Sequence, residues 1–425
     1  MALPRTMRAL ESPIYRRYYM GQAVSMIGTW VQSVALMWLA YDLTQSTAFT
    51  GFIGLVNGVP YLVISPIAGV LGDRLPRRKI LMTVLALLML QAMALAVLTG
   101  LHIIRPWSLA CLALFAGLCN AFETPTRQSF FVQLLERKED LPNAIALNSI
   151  LMNGSRLVGP SLGGLIIAAF GETACFALNA VSYLAVLGAL SRVRVVHKKP
   201  PRAASHPLAD LAEGWRYVMG SLVVRRMLFT LAAVSFSISP YTTLMPAIAV
   251  ETYGKGAALV GLFIGAVGLG AVISAITLAR RSSIRGLGKY IGVAALLAGI
   301  GAAGFSFSRT VWISFGFMML AGFGMFQTGS IINTILQSVV DEDKRSRVMA
   351  YFTMFFIGSA PLGHFAAGWL AEGIGAPRTF LVGGCLAFTA GAVFLVLLPS
   401  FRRHLRPLYV SRGIIPASEA GAPTQ

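Results

Sequence analysis

The sequence predicts an all-α membrane protein with twelve transmembrane helices arranged as two six-helix halves. Hydrophobic residues make up 56% of its 425 positions and charged residues only 12%, about half the charge of an ordinary soluble domain. Apolar stretches long enough to cross a bilayer recur along the chain. Lys and Arg gather in alternate connections between these stretches, and the second half of the sequence repeats features of the first.

The apolar stretches and the cations together predict a topology. Of the 35 Lys and Arg residues, 30 lie in the two termini, the central connector and the connections that follow even-numbered spans. The positive-inside rule then places both termini in the cytoplasm and the protein in the inner or plasma membrane as a multi-pass protein. The net charge of +19 reflects this topology, so we expect no nucleic-acid partner. The predicted spans cover residues 19–41, 49–71, 80–101, 108–132, 143–168, 173–191, 227–249, 256–279, 290–308, 311–338, 348–371 and 379–399.

An internal repeat at an offset of about 200 residues predicts the domain organisation. Trp107 and Trp312 begin equivalent spans on the outer side. We expect an N-terminal half over 1–191, a cytoplasmic connector over 192–226, a C-terminal half over 227–400 and a disordered cytoplasmic tail over 401–425. In the connector, apolar residues at helical spacing predict an amphipathic helix on the membrane surface. These apolar residues are Leu208, Leu211, Trp215 and Val218.

A strongly basic connection follows the second span, and it resembles the signature between spans 2 and 3 of the major facilitator superfamily. Pro76 stands where that signature has glycine. The resemblance implies a conformational lock in which Asp73 reaches the start of span 11, here near Arg347. The alternative is a loop that only fixes topology. The matching residues are Gly69, Leu71, Gly72, Asp73, Arg74, Arg77 and Arg78.

The stretch Gly154–Gly164 in span 5 is the second informative motif. Gly159 and Gly163 lie four residues apart and make a flat stripe for close helix contact, and Pro160 bends the helix. Together with Gly164 these residues resemble the span-5 signature of exporter branches of the superfamily, which implies export. The alternative is a packing seam with no directional meaning.

Two charged residues are expected inside the membrane. Arg156 lies near the centre of span 5, where an arginine costs at least about 2.5–3.5 kcal/mol, and Glu123 lies at a similar depth in span 4. One possibility is an ion pair between them. Such a pair would couple protons to transport, bind an anionic substrate through Arg156, or only fix the packing of spans 4 and 5. The other possibility is that Glu123 pairs with Arg127 or with the basic connection.

Polar and aromatic side chains within the spans are candidates for a substrate cavity. For each one, a hydrogen bond between helices is the alternative to substrate contact, and His364 also titrates near neutral pH in its ordinary state. The candidates are Trp30, Gln32, Asn57, Asn120, Asn148, Asn153, Gln327 and His364.

These features favour a transporter over an enzyme. The sequence has no phosphate-binding run of the Walker type and no His-Glu-x-x-His motif, so we expect no catalytic residues, cofactor or metal. The chain most resembles the twelve-span branch that includes the enterobactin and macrolide exporters. This implies a monomeric, proton-coupled exporter of an amphiphilic drug or siderophore that works by alternating access. A lysophospholipid flippase, an uptake transporter and a non-transporting membrane sensor are the alternatives.

Overall fold

The computed structural model of the protein describes residues 5–74, 76–135, 137–193, 207–281 and 283–412. Every regular element in these ranges is a helix. A helix pairs its own backbone N–H and C=O groups, which is required inside a bilayer because no water is present there to bind them. Eleven helical stretches of the described chain are long and apolar enough to cross a membrane. The α-helices are α1 (Pro13–Thr44), α2 (Thr47–Arg74), α3 (Arg77–Gly100), α4 (Pro106–Gln133), α5 (Leu141–Ser191), α6 (Pro207–Gly220), α7 (Leu222–Ile238), α8 (Tyr241–Ala247), α9 (Ala257–Ala279), α10 (Leu287–Phe307), α11 (Val311–Val339), α12 (Glu342–Phe356), α13 (Ser359–Ile374), α14 (Ala376–Val396) and α15 (Leu398–Ser411). Short 3₁₀ or π-helical segments cover Arg5–Glu11, Lys138–Asp140 and Ile248–Thr252.

The longest helical stretch, α5, has 51 residues, about twice the length that a bilayer requires. Gly171 interrupts it with a φ of 77° and a ψ of 176°, a conformation that glycine adopts far more readily than other residues. The chain reverses direction at this glycine, because its two limbs run opposite ways along α1. In the limb before Gly171, a Cβ built at Gly159 meets Trp30 of α1, and one built at Gly163 meets Val31. Residue numbers therefore rise in the same direction on both helices, and this limb runs parallel to α1.

The limb of α5 that follows Gly171 runs antiparallel to α1. A Cβ built at Gly21 meets Ala185, and one built at Gly28 meets Ser182. Residue numbers therefore fall on α5 as they rise on α1. The break lies between the predicted spans 143–168 and 173–191, where the sequence places a connection.

Packing divides the chain into two units. Unit 1 comprises Met1–Arg202 together with Tyr241–Gly268 and His364–Ala376, and unit 2 comprises the remainder. Unit 1 thus includes two segments from beyond the connector, so the packing units do not follow chain order. The predicted division into halves at 1–191 and 227–400 stays a prediction.

A chain of buried amides joins four helices of unit 1. Gln32 on α1 donates through Nε2 to Oε1 of Gln91 on α3 at 3.0 Å, and it accepts from Nδ2 of Asn179 on α5 at 2.8 Å. Gln91 in turn donates to the carbonyl of Leu112 on α4 at 3.2 Å. Hydrogen bonds between helices hold a bundle together where the hydrophobic effect is weak.

The connector contains helix α6 at the residues where the sequence predicts one. Val218 on this helix is fully buried, and Trp215 is 42% exposed. The side chains of Leu208 and Leu211 lie outside the part of the chain that the structure describes. The position of α6 on a membrane surface stays a prediction.

The prediction of disorder after residue 401 is wrong for residues 401–411, which continue helix α15. Phe401, Leu405 and Tyr409 lie four residues apart on one face of this helix and are almost fully buried. Phe401 packs against Phe394 of α14 with ring centroids 5.1 Å apart. Burial of this apolar stripe explains why the basic segment is ordered. The remaining tail, 413–425, lies outside the described residues.

We expect Phe401→Ala to lower the stability of the purified protein, because emptying a buried phenylalanine site costs about 3–5 kcal/mol. The measurement is the melting temperature in detergent, followed by intrinsic tryptophan fluorescence. Arg403→Ala on the exposed face of α15 is the matched control. Equal melting temperatures for the two variants would mean that α15 is not docked.

Candidate functional site

A cavity of about 250 Å³ lies within unit 1, among helices α1, α3, α4 and both limbs of α5. Its wall combines apolar and aromatic side chains with small polar groups and three charged groups. The lining residues are Gln22, Ser25, Met26, Thr29, Trp30, Leu85, Leu88, Asn120, Glu123, Thr124, Arg127, Met152, Arg156 and Tyr183.

An ion pair on α4 forms one side of the cavity. Arg127 donates through Nε to Oε1 of Glu123 at 2.7 Å, and both residues are more than nine-tenths buried. The two residues are four apart on one helix, a spacing that places their side chains on the same face. Thr124 donates a further hydrogen bond to Oε2 of Glu123 at 3.2 Å. The sequence left several partners open for Glu123, and in the structure its partner is Arg127.

Arg156 forms the other charged side of the cavity. Its guanidinium lies over the ring of Trp30 at 5.6 Å from the ring centroid, within the range of a cation–π interaction. The cavity therefore holds two guanidinium groups and one carboxylate, and its formal charge is positive. Such a wall suits a ligand with an aromatic or apolar body and an anionic group.

The glycine motif of α5 packs on two sides. A Cβ built at Gly159 would lie 2.4 Å from Cβ of Trp30 on α1, so this glycine sets the place of the aromatic ring beneath Arg156. On the other side, a Cβ built at Gly164 would lie 2.6 Å from the carbonyl oxygen of Ala257 and 2.9 Å from Cα of Gly261 on α9. The motif is thus a seam between α1 and α9.

The seam continues along α9 toward the cavity. A Cβ built at Gly268 would lie 2.6 Å from the carbonyl oxygen of Arg156. This carbonyl has lost its usual helical partner, because Pro160, four residues later, has no N–H group. The backbone at Arg156 therefore contacts α9 while its side chain faces the cavity.

Two carboxylates join helices of unit 1 at the end where α1 ends and α2 begins. Glu372 on α13 accepts hydrogen bonds from Oγ of Ser46 at 2.5 Å and from the backbone N–H of Ala48 at 3.0 Å. It thereby caps the first turn of α2. Tyr41 on α1 donates to Oε1 of Glu251 at 2.6 Å. We call this region the carboxylate end of unit 1.

The carboxylate end is also tightly packed. A Cβ built at Gly51 on α2 would lie 2.6 Å from the carbonyl oxygen of His364, and one built at Gly368 on α13 would lie 2.5 Å from that of Thr47. Thr47 also donates through its hydroxyl to the carbonyl of Gly368 at 2.9 Å. The backbones of α2 and α13 are therefore in direct contact, which small residues such as glycine permit.

The predicted cavity residues divide into two groups. Trp30 and Asn120 line the cavity. The others are not among its lining residues, and they make these hydrogen bonds: Gln32 to Gln91 and Asn179, Asn57 to the carbonyl of Ala113, Asn148 to the sulfur of Met152, Asn153 to the carbonyl of Ser149, Gln327 to Ser274, and His364 to Thr243.

The predicted lock is described only in part. The side chains of residues 65–75, which include Gly69, Asp73 and Arg74, lie outside the described residues. Arg78 donates to the carbonyls of Leu190 and Ser191 at 2.8 and 2.9 Å, a favourable place for a cation because helix dipoles end there. Arg77 donates to the carbonyl of Ser129 at 3.5 Å. These two arginines tie α3 to α4 and α5.

Sequence reasoning missed several residues of the site. The sequence left Arg127 open only as a partner of Glu123 and did not indicate that it lines a cavity, although its spacing of four residues from Glu123 is a recognisable signal. Glu251 and Glu372 carried no signal, because each meets its partner across helices that are distant in sequence. No group of three or more His, Cys, Asp or Glu side chains in the described ranges could hold a metal ion.

We expect Glu123→Gln to destabilise the protein by roughly 3–5 kcal/mol, because it leaves the buried guanidinium of Arg127 without its carboxylate. Adding Arg127→Gln should recover most of that loss. The measurement is a double-mutant cycle of unfolding in detergent, and Glu139→Gln, at a carboxylate that is 79% exposed, is the control. Strictly additive losses in the double variant would contradict the coupling.

Comparisons with known proteins agree with this architecture. Residues 5–408 match the model of a family described as transmembrane secretion effector. The chain is 26% identical to the multidrug efflux pump Tap of Mycolicibacterium fortuitum, with 88% of this chain and 93% of that protein aligned. It is 24% identical to the enterobactin exporter EntS of Citrobacter koseri, with 94% of this chain and 95% of that protein aligned.

Solved structures resemble the fold. The crystal structure of the nucleoside transporter NupG superposes with a TM-score of 0.71 at 12% identity, over 90% of this chain and 99% of that chain. The resemblance inferred from the sequence is confirmed, and with it the expectation of a transporter in place of an enzyme. The chain belongs to the transmembrane secretion effector family of major facilitator transporters.

Proposed function

We propose that the protein is a proton-coupled exporter of an amphiphilic small molecule of the drug or siderophore type. The observation that carries this proposal is the cavity in which Glu123, Arg127 and Arg156 lie together inside an apolar bundle. Charged groups at membrane depth are costly and mark transport pathways by default. Two relatives are described as an efflux pump and an exporter, which supports the direction.

The proposed topology has twelve spans in two halves with both termini in the cytoplasm. The reversal at Gly171 supports it, because α5 then contributes two of the crossings. An even number of crossings puts both termini on one side, and the distribution of Lys and Arg favours the cytoplasm for that side. The carboxylate end then faces away from the cytoplasm.

The proposed substrate site uses both the apolar and the cationic parts of the cavity wall. Trp30, Met26 and Met152 offer aromatic and adaptable apolar contact. Arg156 offers a cation for a carboxylate, phenolate or other anionic group on the substrate. An amphiphile with one anionic group would satisfy the wall better than a purely apolar molecule or a cation.

The proposed coupling group is Glu123. When a proton neutralises its carboxylate, Arg127 loses its counter-charge, and the net positive charge of the cavity increases by one. A cavity in this state favours an anionic substrate, or a conformation that admits water. Proton binding and substrate binding are thereby linked through one ion pair.

The proposed mechanism is alternating access, with the carboxylate end as the outer gate. Closed packing at Gly51, Gly164 and Gly368 supports this role, because a seam of glycines can close without large side chains that must repack. The basic segment Gly69–Lys79 is the proposed lock on the cytoplasmic side. Its Asp73 and Arg74 are part of the proposal only.

We expect Gly164→Val to hold the outer gate open. The new side chain would meet the backbone of Ala257 and Gly261, and overpacking of this kind costs typically about 1–3 kcal/mol. The population of the open form should rise by roughly 5- to 150-fold. The measurement is labelling by a charged thiol reagent of Thr50→Cys, a fully buried position, in a variant that lacks the four native cysteines.

Gly188→Val is the matched control for this experiment, since a Cβ at Gly188 meets no atom within 4 Å. It should label as slowly as the parent protein. If Gly164→Val also labels at the parent rate, separation of α5 from α9 is not part of gate opening.

We expect inside-out vesicles with an imposed proton gradient to accumulate a lipophilic dye or a catecholate siderophore. Glu123→Gln should abolish the stimulation by the gradient, whereas Glu123→Asp, which keeps a titratable group, should retain part of it. Transport is normalised to folded protein measured by size-exclusion chromatography, because Glu123→Gln is expected to be less stable. Unchanged stimulation in Glu123→Gln would exclude this residue as the coupling group.

If neither compound accumulates in vesicles of the wild type, the proposed substrate class is wrong. A lysophospholipid flipping assay on the same vesicles then tests the lipid alternative.

A further inference from the structure

A second cavity, of about 500 Å³, lies in unit 2 between the connector helix α6 and the first turns of α12. It shares no residue with the cavity of unit 1. The lining residues are Glu213, Gly214, Arg216, Tyr217, Lys344, Arg347 and Val348.

The wall of this cavity is cationic. Arg216, Lys344 and Arg347 contribute three positive charges, and the carboxylate of Glu213 lies 2.8 Å from Nη1 of Arg347. The ammonium of Lys344 lies 5.3 Å from the ring centroid of Tyr217. Two cations from α12 and one from α6 thus line the same cavity, with one carboxylate among its described lining residues. Such an arrangement suits a phosphate group.

Two carboxylates at the start of α12 are engaged by other arginines. Asp341 accepts from Arg412, and Glu342 lies 4.0 Å from Arg345. Neither carboxylate lines the cavity. Among the side chains that the structure describes, the charge balance of the cavity wall is therefore positive.

Packing fixes the two helices that form the cavity. The ring of Trp215 on α6 lies against that of Tyr351 on α12, with centroids 5.7 Å apart. A Cβ built at Gly214 would lie 2.9 Å from Cε2 of Tyr351, so only glycine permits this approach. Val218 and Val348 are fully buried. The cationic groups are consequently held on a preformed frame, not on a loose segment.

The outer surface of α6 indicates which anion fits. Trp215 and Met219 are 42% and 36% exposed on the same helix that carries Arg216. Exposed tryptophan beside basic residues is typical of helices at the membrane interface. A ligand that carries a phosphate and an apolar tail matches both features, whereas inorganic phosphate matches only the cations.

We propose that the α6–α12 cavity binds the phosphate-bearing headgroup of an anionic glycerophospholipid of the membrane. Basic cavities beside spans on the cytoplasmic side are suited to such headgroups. The bound lipid would join the connector to the helix that leads into α13, and so make the position of α6 depend on lipid composition.

The test measures lipid binding to the purified full-length protein by native mass spectrometry in a neutral detergent. Phosphatidylglycerol is titrated against phosphatidylcholine, and inorganic phosphate is titrated separately by thermal shift. We expect selective binding of phosphatidylglycerol by the wild type. The double variant Arg216→Gln with Lys344→Gln should bind it at least about tenfold more weakly.

Two further variants make the test specific. Arg402→Gln with Arg403→Gln removes the same charge from α15, outside the cavity, and should bind phosphatidylglycerol as the wild type does. Lys344→Arg keeps the charge and should also retain binding. Equal loss in the α15 variant would mean non-specific attraction and overturn the proposal.

The remaining outcomes also decide the matter. Unaltered phosphatidylglycerol binding in the double variant would overturn the site. A thermal shift by inorganic phosphate that equals the lipid effect and disappears in the same variant would replace the lipid by a free anion, and would overturn the assignment to a lipid headgroup. None of these readouts depends on transport, so they stand apart from the proposed function.

Discussion

Close contact between helix backbones is the constraint on which unit 1 depends. In a bilayer, helices gain little by burying apolar side chains against one another, so their association relies on tight packing and hydrogen bonds. The glycines of α5 provide that packing on two faces, Gly163 toward α1 and Gly164 toward α9. About two turns earlier, the same helix carries Arg156 into the cavity. Packing and chemistry are therefore properties of a single segment.

The charged groups of the unit 1 cavity show how such a segment tolerates ions. Glu123 and Arg127 are partners within one turn of α4, and Arg156 lies over the face of Trp30. Each cation thus has a local source of electrostatic compensation, which lowers the cost of burying it. Gly159 packs directly against Trp30. A change in the contact between α1 and α5 would therefore move the ring that lies beneath the guanidinium of Arg156.

Much of this architecture could be predicted from the sequence, because the bilayer fixes the length and apolar character of each span and the distribution of Lys and Arg between its two sides. The break at Gly171 lies between two predicted spans, and Arg156, which span 5 places inside the membrane, lies half-buried at the cavity wall. The partner of Glu123 could not be predicted, since both Arg127 along the helix and Arg156 across helices satisfied the spacing. Likewise, an amide such as Gln32 looks the same in sequence whether it faces a cavity or another helix.

The error at the C-terminus has a different physical origin. The run of arginines after Leu398 has the composition of a solvated tail, and the apolar residues at 401, 405 and 409 are too few to stand out. Their burial depends on α7 and α10, which are far away in sequence, and on the preceding helix α14. Short amphipathic helices of this kind are ordered by their docking site and not by their own propensity.

The cap that Glu372 places on α2 has a consequence for hydration. The first amide groups of a helix need acceptors, and here α13 supplies one from another part of the chain. If the two helices separate, water must enter and take the place of the carboxylate at Ala48, and a second water must solvate the carboxylate itself. Separation of α2 from α13 therefore requires the uptake of water. Conditions that lower the activity of water would favour the arrangement in which the two helices stay in contact.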